Sequence, residues 1–284
     1  MTPNLLDLPE IPDTAADPNG LHLTAVSVTL GRVSIVRDMS VTAAAGEMLA
    51  IVGPSGSGKT TLLKAMTGEL PYTGSIFLGR AEVAAMSPQD QAVARGVLPQ
   101  SSLLSFPLTV SEVIGLGILD RRPGRTARLR RIADALAQVG LPGFERRNYQ
   151  DLSGGEQQRV QLARVLCQVW EPTTPSGSPR WLFLDEPVSS LDIKHQYQIM
   201  ALAKDYAQRG GGVVAVMHDL NLTACFADKV LVMKAGQKVR HGKLEEVMSA
   251  KVLSPAFEMP LEVTQAPNGL LRVVPHFSDG FQNA

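Results

Sequence analysis

Residues 53–60 read GPSGSGKT and stand directly between an apolar run, 47–52 (EMLAIV), and a stretch that continues as TLLKAM. No other feature constrains the fold as much. A glycine-rich octet ending in Lys-Thr, set between a buried strand and a helix, builds a loop that cradles phosphates. Gly53, Gly56 and Gly58 permit a backbone path in which successive N–H groups converge on one cavity. Lys59 reaches the β- and γ-phosphates of a bound nucleotide, and Thr60 offers its hydroxyl to Mg²⁺. The N-terminus of the following helix adds positive potential. A plain Gly/Ser turn with an exposed lysine is the competing reading, and the flanking strand and helix argue against it.

A second apolar run, 181–186 (WLFLDE), delivers Asp185 and Glu186 to a strand end. Open α/β sheets place their ligands at the carboxyl edge of the strands. There Asp185 can hold Mg²⁺ through water, and Glu186 can accept a proton from the attacking water. Taken alone, such a pair is as readily the N-cap of the next helix.

The rest of the chain fits an α/β plan. Residues 21–42 alternate at period two with Val, Ile and Thr, which suggests an antiparallel sheet. Further strands are expected at 75–78, 96–98, 180–184 and 212–217, and a hairpin at 230–239 turning on Ala235-Gly236. Helical spacing marks 59–67, 109–140 and 153–169. Alternating strands and helices imply a mostly parallel core sheet, here with an antiparallel β subdomain and a helical subdomain at about 100–168. Residues 1–20 read as a loose tail, 21–257 as one nucleotide-binding domain, and 258–284 as a short C-terminal β extension. Residues 171–180 (EPTTPSGSPR) read as a flexible insertion whose ends Trp170 and Trp181 hold by packing.

Residues 152–157 read LSGGEQ. Ser153 with the N–H groups of Gly154 and Gly155 opens a long helix, a second anion site in one chain. Ser153 and Glu156 also have the spacing of a capping box, and both readings can hold together. One nucleotide does not need two separate helix N-termini from the same chain. Two chains arranged head to tail would let each cradle face the other's LSGGE.

Together these motifs resemble the nucleotide-binding subunits of ABC transporters over about residues 21–250. The resemblance is carried by GPSGSGKT (53–60), Gln100 in VLPQ, LSGGEQ (152–157), LFLDEP (182–187), SSLD (189–192) and His218 in VMHD. It implies an α/β P-loop ATPase fold, with ATP and Mg²⁺ at the site. It assigns nucleotide contacts to Gly53, Pro54, Ser55, Gly56, Ser57, Gly58, Lys59, Thr60 and Thr61, and across a dimer to Ser153, Gly154, Gly155, Glu156 and Asp192. Catalysis falls to Glu186, His218, Lys59 and Gln100, and Mg²⁺ to Thr60, Gln100 and Asp185. The family usually stacks adenine on an aromatic of the first hairpin. This hairpin has none, and Leu30 or Arg32 is expected to pack on the base instead.

The longest uncharged run, 96–111, is too short and too proline-broken to span a bilayer. The pore is then another chain, with residues 98–117 docking on it. The Pro-rich insertion and the ending at 260–275 resemble iron-chelate, hemin and cobalamin importers, hemin most of all, with a ferric siderophore or cobalamin as alternative cargo. The expected partners are a second copy, membrane permease subunits and a periplasmic substrate-binding protein, at the cytoplasmic face of the inner membrane. Lys+Arg and Asp+Glu are both 27, which argues against a nucleic-acid partner. A soluble ABC ATPase of DNA repair or translation is the alternative from another class. One cassette without a heptad run disfavours it. The first twenty residues lack the pattern of a secretory signal, and Cys167 and Cys225 read as small apolar residues in a reducing compartment. The six arginines of 121–131 read as a solvated face before a lipid-binding one.

Overall fold

The alternating N-terminal text folds as two long antiparallel strands, β1 (Leu21–Leu30) and β2 (Val33–Ala43). The computed structural model describes residues 17–100, 104, 106–120 and 124–276. Buried side chains of both strands share one face, Leu21, Leu23, Val26 and Val28 against Val36, Met39 and Val41. The register shifts at bulges, where Ala25 N–H donates to Ser40 Oγ and Asp38 N–H to Ser27 Oγ. After them come β3 (Met48–Val52), α1 (Lys59–Met66), β4 (Thr73–Leu78), the short β5 (Ala81–Glu82), α2 (Pro88–Ala94) and β6 (Arg95–Leu98). Three helices follow, α3 (Val110–Gly115), α4 (Arg125–Gln138) and α5 (Gly154–Gln168). Then β7 (Trp181–Asp185), α6 (Ile193–Gln208), β8 (Gly212–Val216), α7 (Leu220–Phe226) and β9 (Lys229–Lys234) alternate. The described chain closes with β10 (Gln237–Lys243), α8 (Leu244–Val247), α9 (Ala250–Phe257), β11 (Leu261–Gln265) and β12 (Leu271–Pro275).

The core sheet runs β10-β9-β3-β8-β7-β6. All its pairings are parallel except that of β10, which returns antiparallel from β9. A separate antiparallel sheet runs β2-β1-β4-β5, and β11-β12 form a hairpin of their own. The fold class expected from the sequence, α/β with a mostly parallel core sheet and an antiparallel β subdomain, is the one observed.

Period-two alternation explains why the central strands are apolar throughout. Met48, Ala50 and Val52 of β3, Leu182 and Leu184 of β7, and Val213 and Ala215 of β8 face one core shared with α3 to α7. Leu49 and Ile51, Trp181 and Phe183, Val214 and Val216 face the other, shared with α1 and the antiparallel sheet. A strand covered on both faces leaves no polar position in its text. Parallel strands also bring their carboxyl ends to one edge, and the phosphate loop, Asp185 and His218 follow three neighbouring strands there.

Several local expectations change. The helical text 109–140 is two helices, each with its own start: Thr109 caps α3 in a full capping box, and Gly124 opens α4. Between them, residues 121–123 of the arginine run lie outside the described residues, as do 101–103 and 105 of the expected docking stretch, 1–16 and 277–284. The insertion 171–180 is closed by hydrogen bonds rather than loose. Arg180 N–H donates to Pro172 O at 2.7 Å, and its guanidinium donates to Glu171 O and Thr173 O. The two tryptophans do not join its ends, because Trp181 stacks near Phe183 in one core while Trp170 packs against the other under Arg131. Cys167 is buried, and its burial pushes the thiol up to about 12, whereas Cys225 is half-buried beside Tyr197.

Candidate functional site

Position comes first from the loop between β3 and α1. Gly53 passes so close to the neighbouring strand that a Cβ there would lie 2.2 Å from Met233 O. Gly58, at φ +93°, caps α1 in the left-handed region that favours glycine. The loop is locked from outside as well. Gly236 N–H donates to Ser57 O at 3.0 Å, and Arg37 N–H donates to Gly236 O at 2.9 Å. Ala235 and Gly236, both at positive φ, form the two-residue turn between β9 and β10, so the hairpin read from the sequence also braces the phosphate loop.

Lys59 is only 6% exposed, and its ammonium donates to Gly53 O at 2.8 Å and to Pro54 O at 3.0 Å. Burial lowers its pKa from the ordinary lysine value, with Glu186 and Asp185 acting in the opposite sense. Those carbonyls hold the charge in the mouth of the loop. The Ser57 hydroxyl is buried there with no hydrogen-bond partner. A buried hydroxyl without a partner is costly in an apolar interior and natural in a cradle for phosphate oxygens.

Thr60 donates its hydroxyl to Asp185 Oδ1 at 3.0 Å. Burial raises the Asp185 pKa, and the Thr60 hydrogen bond works against that rise. A hydroxyl and a carboxylate side by side are hard oxygen donors of the type Mg²⁺ takes. Among the described residues no group of three or more His, Cys, Asp and Glu can enclose a metal. Such a pair suits an ion that draws its other ligands from phosphate and water.

One residue beyond β7, Glu186 turns to φ +52° while its N–H still reaches Val216 O at 3.2 Å. Its carboxylate accepts from His218 Nε2 at 2.5 Å, with the glutamate side chain 14% exposed and the histidine 46%. The two meet because β7 and β8 are parallel neighbours. Asp185, Glu186, His218, Lys59 and Thr60 thus converge on one edge of the sheet.

Ser153–Glu156 stands apart from that cluster. Ser153 is the N-cap of α5, and Glu156 Oε2 accepts from Ser153 N–H and from Ser153 Oγ, each at 2.8 Å. The capping-box reading is therefore realised, and Ser153 and Gly154 are exposed. Gly155 lies under the loop after β7, where a Cβ would approach Ser190 O to 3.0 Å. Asp192 ends that loop as the N-cap of α6, accepting from His195 N–H at 2.9 Å and from His195 Nδ1 at 2.8 Å. Gln100 is exposed just past β6 and lines a cleft of about 270 Å³ with Tyr149, Gly154, Gln158 and Ser190.

Two features escape a reading of the sequence. The first hairpin meets the phosphate loop through Ile35 and Val36, with Ile35 O 3.1 Å from a Cβ at Gly58, while Leu30 and Arg32 stand exposed at its tip. Gln158, on α5, donates Nε2–H to Glu186 O at 2.9 Å and accepts from Ser190 Oγ at 2.5 Å. Its only signal in the text is its place inside the LSGGEQQ string.

Comparison with known proteins gives the family and the fold. Residues 36–189 match the ABC transporter family. A protein of Jannaschia sp. (strain CCS1) named hemin import ATP-binding protein HmuV is 54% identical over 259 residues, 91% of this chain and 95% of that one. A protein of the same name from Mesorhizobium japonicum is 54% identical over 86% of this chain and 93% of its own. Among solved structures, an ATP-binding cassette described as dimeric in a post-hydrolysis state, bound to ADP and Pi, superposes with a TM-score of 0.69. That match is 27% identical and covers 79% of this chain and 98% of the other. An ATP-binding subunit of an ABC transporter, 20% identical over 80% and 91% of the two chains, shares the fold at a TM-score of 0.70.

Proposed function

This chain belongs to the ABC transporter family as an ATP-hydrolysing subunit, and we propose that it powers hemin import through separate membrane subunits. The observation that carries the cargo is the relatives' name, attached to chains 54% identical over nearly their whole length. Among the described residues no helix is long and apolar enough to cross a membrane. That fits a subunit held at the inner membrane by permease partners, with a periplasmic binding protein delivering the cargo. Residues 21–257 form the nucleotide-binding domain in this reading.

The chemistry follows from the cluster at the sheet edge. ATP lies with its phosphates in the 53–61 loop, where backbone N–H groups and Lys59 neutralise the β- and γ-phosphates. Thr60, Asp185 and Gln100 would hold Mg²⁺, which would supply positive charge against the charge that develops on the phosphates. A second copy, head to tail, presents Ser153, Gly154 and Gly155 to the γ-phosphate and completes the site, with Glu156 holding the cap and Asp192 at the dimer face. Glu186 takes a proton from the attacking water as its oxygen bonds to the γ-phosphorus and the bond to ADP breaks. His218 orients the carboxylate it already contacts and touches the γ-phosphate. Closure of the dimer on ATP, and reopening after hydrolysis, reach the permease through the segment after Gln100.

Reconstitution with the neighbouring membrane and periplasmic subunits tests the cargo. Hemin is expected to stimulate ATPase activity, while a ferric siderophore or cobalamin leaves it at the basal rate. Stimulation by one of those chelates and not by hemin overturns the cargo and leaves the ATPase standing. Substitution Glu186→Gln is expected to retain ATP binding and trap a dimer on size exclusion. Turnover of that variant at the wild-type rate would remove Glu186 as the base.

A further inference from the structure

Gln158 bonds in two directions from one amide. The Glu186 carbonyl needs a donor and the Ser190 hydroxyl donates, so the two partners have opposite polarity. A carboxylate at this position would lack the N–H, and an ammonium would lack the acceptor. An amide serves both, and its orientation is fixed by them.

The carbonyl it meets belongs to a residue under backbone strain. Glu186 sits at φ +52°, a region that a non-glycine residue occupies only where its surroundings hold it. Its N–H is tied to Val216 O. Its C=O takes the Gln158 amide as its shortest partner, with the Ser189 hydroxyl at 3.3 Å and Ser189 N–H at 3.4 Å. Holding both peptide groups fixes the direction of the Cα–Cβ bond, and with it the path of the carboxylate toward His218. The same amide reaches the 189–192 loop through Ser190, and it rides on α5 a little more than one turn past Ser153. Gly155 lets α5 approach that loop closely enough for the contact, since a Cβ there would crowd Ser190 O.

We propose that Gln158 is a positioning residue for hydrolysis: it clamps Glu186 in its left-handed conformation and ties that conformation to the helix end that bears Ser153. In this role Gln158 acts through the Glu186 backbone. A displacement of α5 at Ser153, which meets the other copy's γ-phosphate, thereby reaches the general base of its own chain through side-chain amide bonds. This rests on the ATPase reading with Glu186 as base.

The test is a kinetic cycle in the full chain with Gln158→Met, Glu186→Ala and the double variant. Gln158→Met keeps the length of the side chain and removes both polar ends. It is expected to lower kcat about tenfold with KM for ATP within about twofold, since the part-buried Glu186 carbonyl loses its shortest donor while the phosphate loop is untouched. In the Glu186→Ala background the same substitution is expected to leave the residual single-turnover rate unchanged, because the group it positions is gone. Gln158→Glu, which retains the acceptor for Ser190 but cannot donate to Glu186 O, is expected to lose kcat to the same degree. It also serves as the test should the methionine variant fail to fold. Wild-type kcat in Gln158→Met or Gln158→Glu overturns the proposal. So does an equal loss with and without the Glu186 carboxylate, which marks a merely structural role. Failure of the underlying reading looks different: the wild-type chain itself would not hydrolyse ATP, or Glu186→Ala would not slow it.

Discussion

The chain carries two helix N-termini suited to an anion, and they are built in opposite ways. The one at α1 lies inside the molecule. Its lysine is 6% exposed and held by carbonyls of its own loop, its threonine is bonded to a buried aspartate, and a neighbouring strand turn closes over its backbone. The one at α5 lies on the surface, and Glu156 of its own first turn already occupies the Ser153 amide and hydroxyl. The inner site has its charge, its hydroxyls and its shape without help. The outer one has an exposed rim of Ser153 and Gly154. A pocket can be completed by the core, whereas an exposed helix end becomes half of a pocket only when another surface meets it.

The largest expected effect separates the halves directly. Lys59→Ala removes the buried ammonium of the inner site, and ATP turnover is expected to fall at least about a hundredfold, with ATP binding weakened, as read by phosphate release and nucleotide titration. Ser153→Arg fills the outer rim with a long side chain. It is expected to leave ATP binding by the single chain intact and to lower turnover by about a hundredfold. Mixing the two variants then sharpens the comparison. In a head-to-tail dimer the mixed species has one site with both defects and one with neither, so about a quarter of the wild-type rate should return at equal proportions. No recovery on mixing would mean that Lys59 and Ser153 serve one site from the same chain, and wild-type turnover by Ser153→Arg alone would mean that the outer helix end is only a cap.

The inner half was the more legible of the two in sequence, for a physical reason. A phosphate loop is local: its strand, glycines, lysine and threonine are consecutive, and each constrains the next. Asp185 and Glu186 were also legible, because an apolar strand delivers them to the carboxyl edge, whereas His218 was legible only through the family resemblance; the parallel pairing of β7 and β8 is what brings the three together. Gln158 was not, because its partners lie at 186 and 190, across a helix and an insertion, and nothing in local periodicity says where an amide on α5 will point. Among the helices, α2 buries no side chain and so leaves no apolar period to read, and α9 carries Pro255 inside it, which reads as a break. By contrast, α6 does show its face, with Ile199, Met200, Ala203 and Ala207 buried at helical spacing after an Asp192 cap. The sequence expectation gives Asp192 as a site residue alone and so omits the helix it starts. The first hairpin misleads in its own way: its tip is the obvious place to seek a base-stacking residue, yet Ile35, farther down β2, is what lies against the loop.

The smallest effect addresses whether the outer cap is also a stability element. Hydrogen bonds from the Ser153 backbone N–H and hydroxyl hold the Glu156 carboxyl below the usual glutamate value, with Arg147 and Arg159 adding to the shift. A carboxylate whose pKa is lower folded than unfolded contributes stability above its unfolded value and loses it as pH falls through the folded one. Glu156→Ala is therefore expected to cost about 1 kcal/mol in urea unfolding at neutral pH, the size of a capping interaction. That cost should shrink as the pH is taken below the ordinary glutamate range, because the wild-type cap protonates there and the variant has nothing to lose. A pH-independent difference would mean that the alanine acts through packing at the start of α5. The two roles of this helix end would then be separable, and its surface could be changed for dimer contacts without touching the cap.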